Sequence, residues 1–411
     1  MGQEMPTLKA AMPSSRLSRR TIGFVNAAHA LDHFVLLIYP TAVLAIAADR
    51  GLPYAELIGL STGAFVAFGL FSLPVGWLAD RVGRRNLLGV FFIGVGVTCL
   101  LLAGAHSRWQ FAAGLALLGL FASIYHPVGS AMLVSHADRL GRALGLNGVC
   151  GNMGAAFAAM VSAALAALAG WQAAFLVPGA VALIVGTAFL LLVPGDGDTV
   201  RKARQETAAL NPVTRPAATA IAYGVAIIAG GFTFNMTTIA LPKLIDAQFG
   251  AQLPLALVGA LGTLVLVVGA LTQVVMGRLI DRLPLPTLFI GLSLLQPLGL
   301  GLAAATSGGL LLLGLAAALA AIYGQVVLND AMIARYVPPR YRSRAFGLRY
   351  FVGYTSSGAA VPLIAMAYDS SGPRAVLLVA VVFACGVVAG AVLFMLASAR
   401  PKPHSAVAPA E

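Results

Sequence analysis

Charge is scarce in this sequence. Only 10% of its 411 residues are Asp, Glu, Lys or Arg, against about 25% in soluble domains. That stock is too small for the surface of a soluble enzyme or for a disordered chain. Cysteine is also scarce. Cys99, Cys150 and Cys385 each lie inside an apolar run, which excludes a disulfide scaffold and a cysteine-based zinc site. Acidic residues number 14 against 26 basic ones. The basic residues fall between apolar runs and form no patch or stripe, so nucleic acid is excluded as a partner. There is no phosphate-binding Gly-x-x-x-x-Gly-Lys-Ser/Thr loop, so ATP is not the driver. No supported Ser/His/Asp arrangement and no metal-ligand cluster is found. His29 and His33, at i,i+4, imitate two zinc ligands, but no third stands at useful spacing. The expectation is therefore no enzyme, no cofactor and no metal.

Apolar residues dominate. They make up 59% of the chain, and the mean hydropathy is +0.91. A membrane helix needs roughly 20 apolar residues to cross ~30 Å of hydrocarbon. Cutting at charges and Gly/Pro clusters gives twelve spans. The first six are residues 22–47, 54–78, 87–105, 110–134, 143–169 and 171–193, and the second six 217–242, 254–279, 285–304, 309–334, 345–368 and 374–397. The first apolar run is too long for a signal-peptide core and carries His29, Asp32 and His33, so it reads as a retained helix. The expected organisation is a tail (1–20), a six-helix bundle (21–195), a polar linker (196–216), a second six-helix bundle (217–398) and a tail (399–411). Twenty-one Lys and Arg fall on one side of these spans. Four (Arg50, Arg108, Lys243, Arg374) fall on the other, and Arg349 lies within a span. That bias places both termini in the cytoplasm.

The chain repeats itself. Gly76-Trp77-Leu78-Ala79-Asp80-Arg81 recurs as Gly277-Arg278-Leu279-Ile280-Asp281-Arg282, 201 positions later. Ile124-Tyr125 recurs as Ile322-Tyr323, and Arg142-Ala143-Leu144-Gly145-Leu146 as Arg344-Ala345-Phe346-Gly347-Leu348. Three ordered pairs at nearly one offset indicate a six-plus-six duplication, with a substrate site expected where the halves meet near mid-bilayer.

The Gly76–Arg85 segment carries readable chemistry. Gly76 permits close helix approach. Asp80, at a membrane boundary, is suited to accept N–H bonds from a neighbouring helix N-terminus or to pair with an arginine. Gly83 permits the tight turn before Arg84. On Gly76, Asp80, Gly83 and Arg84 the chain resembles the major facilitator superfamily over nearly its whole length. That resemblance implies an all-α fold of twelve transmembrane helices in two pseudo-symmetric bundles, working by alternating access. The same residues, with Asp281 from the second copy, are then the expected gate, although Leu283-Pro284-Leu285-Pro286 replaces the Gly-Arg turn there. A looser similarity, to the fosmidomycin-resistance type of drug exporter, rests on three features: His126-Pro127, Val149-Cys150-Gly151-Asn152-Met153-Gly154, and the His-rich first helix. This chain has Val128 after His-Pro, Asp32 one position before His33, and Gly154-Ala155 in place of the antiporter Gly-Pro pair.

Ionisable residues inside a bilayer are site candidates by default. Asn26, His29 and His33 share ~60° of helical arc, which Asp32 widens to ~120°. His29 and Asp32 are i,i+3 neighbours able to share a proton. These three titratable groups and His126 are the proton-coupling candidates. Asn26, Tyr125, Asn235, Tyr323, Asp330 and Arg349 are the cavity candidates, with Asp330 open to Arg335, Arg344 or Arg349 as partner. Helix five carries Gly145, Gly148, Gly151 and Gly154, read as a packing face or, on the antiporter analogy, as a barrier to proton leak. The expectation is a monomeric, proton-coupled carrier in the bacterial inner membrane, exporting a small organic or amphipathic compound. The alternative is an uptake symporter for a nutrient or small organic anion, with Arg349 as the anion contact. A membrane sensor is the third class.

Overall fold

A computed structural model describes residues 15–51, 54–195, 211, 213, 215–249 and 255–398, and the Asp80 side chain falls outside the described set. Most of the expected linker and both expected tails, apart from residues 15–20, also lie outside it. All regular structure among the described residues is helical. The helices are α1 (Ser15–Arg50), α2 (Tyr54–Gly59), α3 (Thr62–Val82), α4 (Arg84–Ala103), α5 (Arg108–Ala122), α6 (Tyr125–His136) and α7 (Leu140–Ala169). They continue as α8 (Ala173–Leu192), α9 (Pro216–Phe249), α10 (Leu255–Ile280), α11 (Leu285–Ala305), α12 (Gly308–Tyr336) and α13 (Arg342–Ser398).

These elements resolve into twelve spans. The second span is α2 and α3, interrupted at Leu60–Ser61, and the fourth is α5 and α6, interrupted at Ser123–Ile124. The last two spans form α13, which leaves helical geometry at Ser371 and Gly372. Gly372 has φ +70°, a conformation that disfavours any residue with a Cβ. Among the described residues eleven helices are long and apolar enough to cross a membrane. The twelfth span, the first part of α13, is more polar because it carries Arg349, Thr355 and Ser356. Leu168, Ile184, Leu298 and Val382 stand exposed on the outer surface, as helices facing lipid require.

Two seams join the halves, and the repeated motifs build both. Gly76 of α3 lies against α13, where a Cβ would stand 2.6 Å from the Ser343 carbonyl oxygen, while Gly347 of α13 lies against Ser72 of α3. The duplicate contact is between α10 and α7. There Gly277 meets the Gly141 carbonyl, and Gly145 meets that of Gln273. Thus each copy of the Gly76/Gly277 motif packs on the opposite half's copy of the Arg142/Arg344 motif. Small residues at these positions bring backbones into direct contact, which is how membrane helices gain packing energy when lipid is as apolar as their side chains.

Candidate functional site

The cross-seam contacts are completed by polar groups at one end of the bundle. Asp281 accepts from the backbone N–H groups of Gly141 at 2.8 Å and Arg142 at 3.1 Å. It therefore satisfies donors of the first turn of α7, where the helix dipole favours an anion. This is the bond the sequence suggested for Asp80, made here by the second copy. Gly83 takes φ +96° between α3 and α4, forming the tight turn. Arg84 donates to Ser343 Oγ at 2.9 Å and to the Pro339 carbonyl at 2.8 Å. Arg85 bonds the carbonyls of Leu190 and Val193 at the end of α8. Beside them Arg342 donates to the carbonyls of Ala334 and Val337. Burial and the neighbouring Arg84 charge push its guanidinium down to about 10. A cleft of about 920 Å³ opens near this rim, lined by Asp138, Arg139, Arg142, Arg278, Asp281 and Arg282 among others.

The chemistry-bearing groups lie elsewhere, in a closed cluster between α1, α6 and α7. Asp32 is 0% exposed, His126 3% and His29 9%, so α1 turns its polar stripe inward. Asp32 Oδ2 approaches His126 Nε2 at 3.4 Å. The contact lacks hydrogen-bond geometry, and within the described residues neither Asp32 oxygen nor either His126 nitrogen has a hydrogen-bond partner. Groups this deeply buried are normally paired. The partnership drawn from the sequence, His29 with Asp32, is not the one the fold makes. His29 Nδ1 lies 2.7 Å from the Asn147 carbonyl and His29 Nε2 lies 3.1 Å from His33 Nε2. A carbonyl only accepts, so Nδ1 of neutral His29 carries the proton and its Nε2 accepts from His33. This departure arises because i,i+3 spacing only makes a contact available. The Asn147 carbonyl from α7 takes the His29 ring, and His126 from α6 takes the Asp32 carboxylate.

Around this centre Asn147 donates to Asn26 Oδ1 at 2.9 Å and bonds the Tyr125 hydroxyl. Tyr125 stacks on His29 with centroids 4.7 Å apart. Gly151 faces the His29 ring and Gly154 the Ala30 backbone. Gly148 meets the Gln273 side chain, and Asn152 donates to that side chain at 2.9 Å. The helix-five glycines therefore serve both α1 and α10. The second half contributes aromatic rings. Tyr350 of α13 stacks on His126 at 4.0 Å, and Tyr354 packs on Phe68 at 4.3 Å. Tyr350, Tyr354, Phe68 and the pairing role of Asn147 were not singled out from the sequence. The available signal for Tyr350 was its position next to Arg349 on a span otherwise rich in small and polar residues.

The remaining candidates divide. Arg349 and Asp330 form an ion pair. Arg349 also donates to the Val326 carbonyl at 3.2 Å and lies 4.8 Å from the Tyr350 ring centroid. Of the partners left open for Asp330, the fold selects Arg349. Asn235 donates to the Gly231 carbonyl at 2.8 Å within its own helix and reaches the Gly353 carbonyl at 3.5 Å. Tyr323 packs beside Phe234 at the edge of the second core and is not part of the cluster. The absence of a third ligand beside His29 and His33 is corrected: His126 brings a ring nitrogen so that the ligand atoms of all three lie within 4.8 Å of one another. Its separation along the chain hid it.

Comparison with known proteins agrees with this architecture. The sequence profile of the Major Facilitator Superfamily matches residues 22–328 and 223–411. The membrane sensor protein UhpC of Escherichia coli is 28% identical over 160 residues, and the Salmonella typhimurium protein of that name 29% over 160 residues. Each match covers 38% of this chain and only 36% of the relative. Among solved structures, the human organic anion transporter MFSD10 superimposes with TM-score 0.68 at 18% identity, covering 93% of this chain and 100% of that one. The proton:xylose symporter XylE gives 0.66 at 14%, covering 92% and 96%. The Escherichia coli fucose:proton symporter FucP gives 0.68 at 12%, covering 95% and 100%. At these identities the structural likeness speaks for the fold.

Proposed function

The chain belongs to the Major Facilitator Superfamily and is a multi-pass membrane transporter, not an enzyme; from that premise we propose that it is a proton-coupled exporter of small amphipathic organic compounds. The observation that carries this reading is the buried Asp32–His126 contact, with His29 and His33 beside it, at the place where α13 of the second half touches the first. A proton taken up there changes the charge of a group that the opposite bundle covers. It biases the two access states because it binds them unequally. Residues 21–195 and 217–398 act as the two rocking bodies, with the Gly76–Arg84 and Gly277–Asp281 seams as the gate on the cytoplasmic side. The membrane is the bacterial inner membrane, with both termini inside.

Substrate character follows from what surrounds the cluster. Tyr125, Tyr350, Tyr354 and Phe68 pack around it, ring against ring, so the surface freed when the halves part is aromatic, suited to an apolar body with a few polar groups. The organic-anion symport alternative needs Arg349 as an anion contact, and Asp330 already engages that guanidinium, which favours the exporter. A sensor role has one specific support, the partial match to proteins named as membrane sensors. Expression in a drug-sensitive host, challenged with a panel of toxic compounds including fosmidomycin, supplies a substrate. Everted vesicles then decide among the readings. Export gives substrate accumulation under an imposed pH gradient, with proton release from the lumen. Symport gives whole-cell uptake, and a sensor gives neither.

A further inference from the structure

We propose that His29, His33 and His126 form a partly buried binding site for a divalent first-row transition ion of the Zn²⁺/Co²⁺/Ni²⁺ class. Each side chain offers one ring nitrogen, and these atoms lie within 4.8 Å of one another. Around a tetrahedral ion with Zn–N near 2.0–2.1 Å, ligand atoms stand about 3.3–3.4 Å apart. His29 Nε2 and His33 Nε2 are at 3.1 Å. Closing the widest edge of the triangle takes at most about 1.4 Å of side-chain movement.

Two independent features point to a ligand of this kind. The His29 Nδ1 proton is held by the Asn147 carbonyl at 2.7 Å, which turns the Nε2 lone pair toward the other two rings. Metal-bound histidines are oriented by the same outer-shell bond. Second, Asp32 and His126 are almost fully buried, and among the described residues none of their four polar side-chain atoms has a hydrogen-bond partner. A hydrogen-bonded packing cluster leaves no such set. A dication engages it: one His126 nitrogen serves as ligand, and the Asp32 carboxylate, 3.4 Å from His126 Nε2, supplies compensating charge. Imidazole nitrogens select borderline first-row ions, whereas Ca²⁺ and Mg²⁺ take oxygen. Three protein nitrogens leave a fourth tetrahedral position open, for water or for a ligating group on a transported molecule.

The inference needs the cluster's geometry and does not need gradient-driven transport. The test uses the full chain, free of any histidine tag, in lipid nanodiscs titrated with Co²⁺. The expected result is one Co²⁺ per chain with the intense visible absorption of a tetrahedral ion, displaced by Zn²⁺. Asp32→Asn is expected to weaken binding about 10–100-fold, the scale seen when a carboxylate beside a metal site is lost, because it removes the charge that compensates the ion. The triple variant His29→Gln, His33→Gln, His126→Gln is expected to lose it, while still eluting as a monodisperse species. It keeps His106, His136 and His404, so any surface binding remains. Should the triple variant fail to fold, X-ray absorption at the zinc edge of the wild-type protein replaces it, with three imidazole ligands expected. No stoichiometric binding, binding unchanged in the triple variant, or an edge spectrum without three imidazoles overturns the site. Metal binding without proton-coupled transport, or the reverse, separates the fate of this inference from that of the transport reading.

Discussion

His126 of α6 and Tyr350 of α13 stack with ring centroids 4.0 Å apart and planes inclined by 24°. The contact joins the two bundles at a residue that also touches Asp32. A proton or ligand at Asp32 therefore acts on a side chain that bears directly on the other half. Stacked aromatic pairs are worth about 0.5–1.5 kcal/mol beyond the area they bury. Tyr350→Ala is expected to lower gradient-driven transport several-fold, and Tyr350→Phe to keep it. Equal activity of the two variants, measured in proteoliposomes, removes the stack from the mechanism.

Gly76 leaves no space for a side chain, since a Cβ there meets the Ser343 carbonyl oxygen at 2.6 Å. Overpacking of this kind costs about 1–3 kcal/mol. Gly76→Leu is expected to wedge the α3/α13 seam apart and populate the state open at that end. Electron–electron distance measurements between labels on the two halves report the shift. Distances unchanged from wild type contradict the seam as a gate.

The other seam gives a milder test. Asp281 accepts two N–H bonds from the start of α7, and loss of a helix cap costs about 0.5–2 kcal/mol. Asp281→Ala is expected to lower the thermal midpoint by a few degrees and raise the transport rate's dependence on substrate side. Asp281→Asn is expected to retain part of the cap. If Asp281→Ala matches wild type in both assays, the bonds at Gly141 and Arg142 do not hold the gate.

The Arg349–Asp330 pair is largely buried, with side chains 9% and 13% exposed. Removing one partner of a buried pair costs about 3–5 kcal/mol, and replacing both with apolar residues is often neutral. Asp330→Leu and Arg349→Leu are each expected to reduce folded yield sharply, and the double variant to recover it. Transport by the recovered double variant supports an uncharged or amphipathic substrate. A folded but inactive double variant returns Arg349 to the role of anion contact.

Much of this architecture was legible because membrane folding is dictated by hydropathy and chain length. The twelve spans, and the repeated segments that turn out to be the two seams, follow from pattern alone. The polar stripe of α1 was legible for the same reason, since Asn26, His29, Asp32 and His33 share one helical face. The partners were not. Asp32 meets His126 and His29 meets Asn147 across helices separated by about a hundred residues, and no local period encodes which helix crosses there. The break at Leu60–Ser61 also escaped a reading based on apolar runs.

The central claim is that Asp32, in contact with His126, carries the coupling proton. The direct measurement is transport by Asp32→Asn in proteoliposomes, with and without a pH gradient, using the compound identified by the resistance screen. Gradient-driven accumulation is expected to vanish while counterflow exchange continues, because the bundles still rock but no longer respond to protons. Accumulation at the wild-type level in that variant contradicts the account.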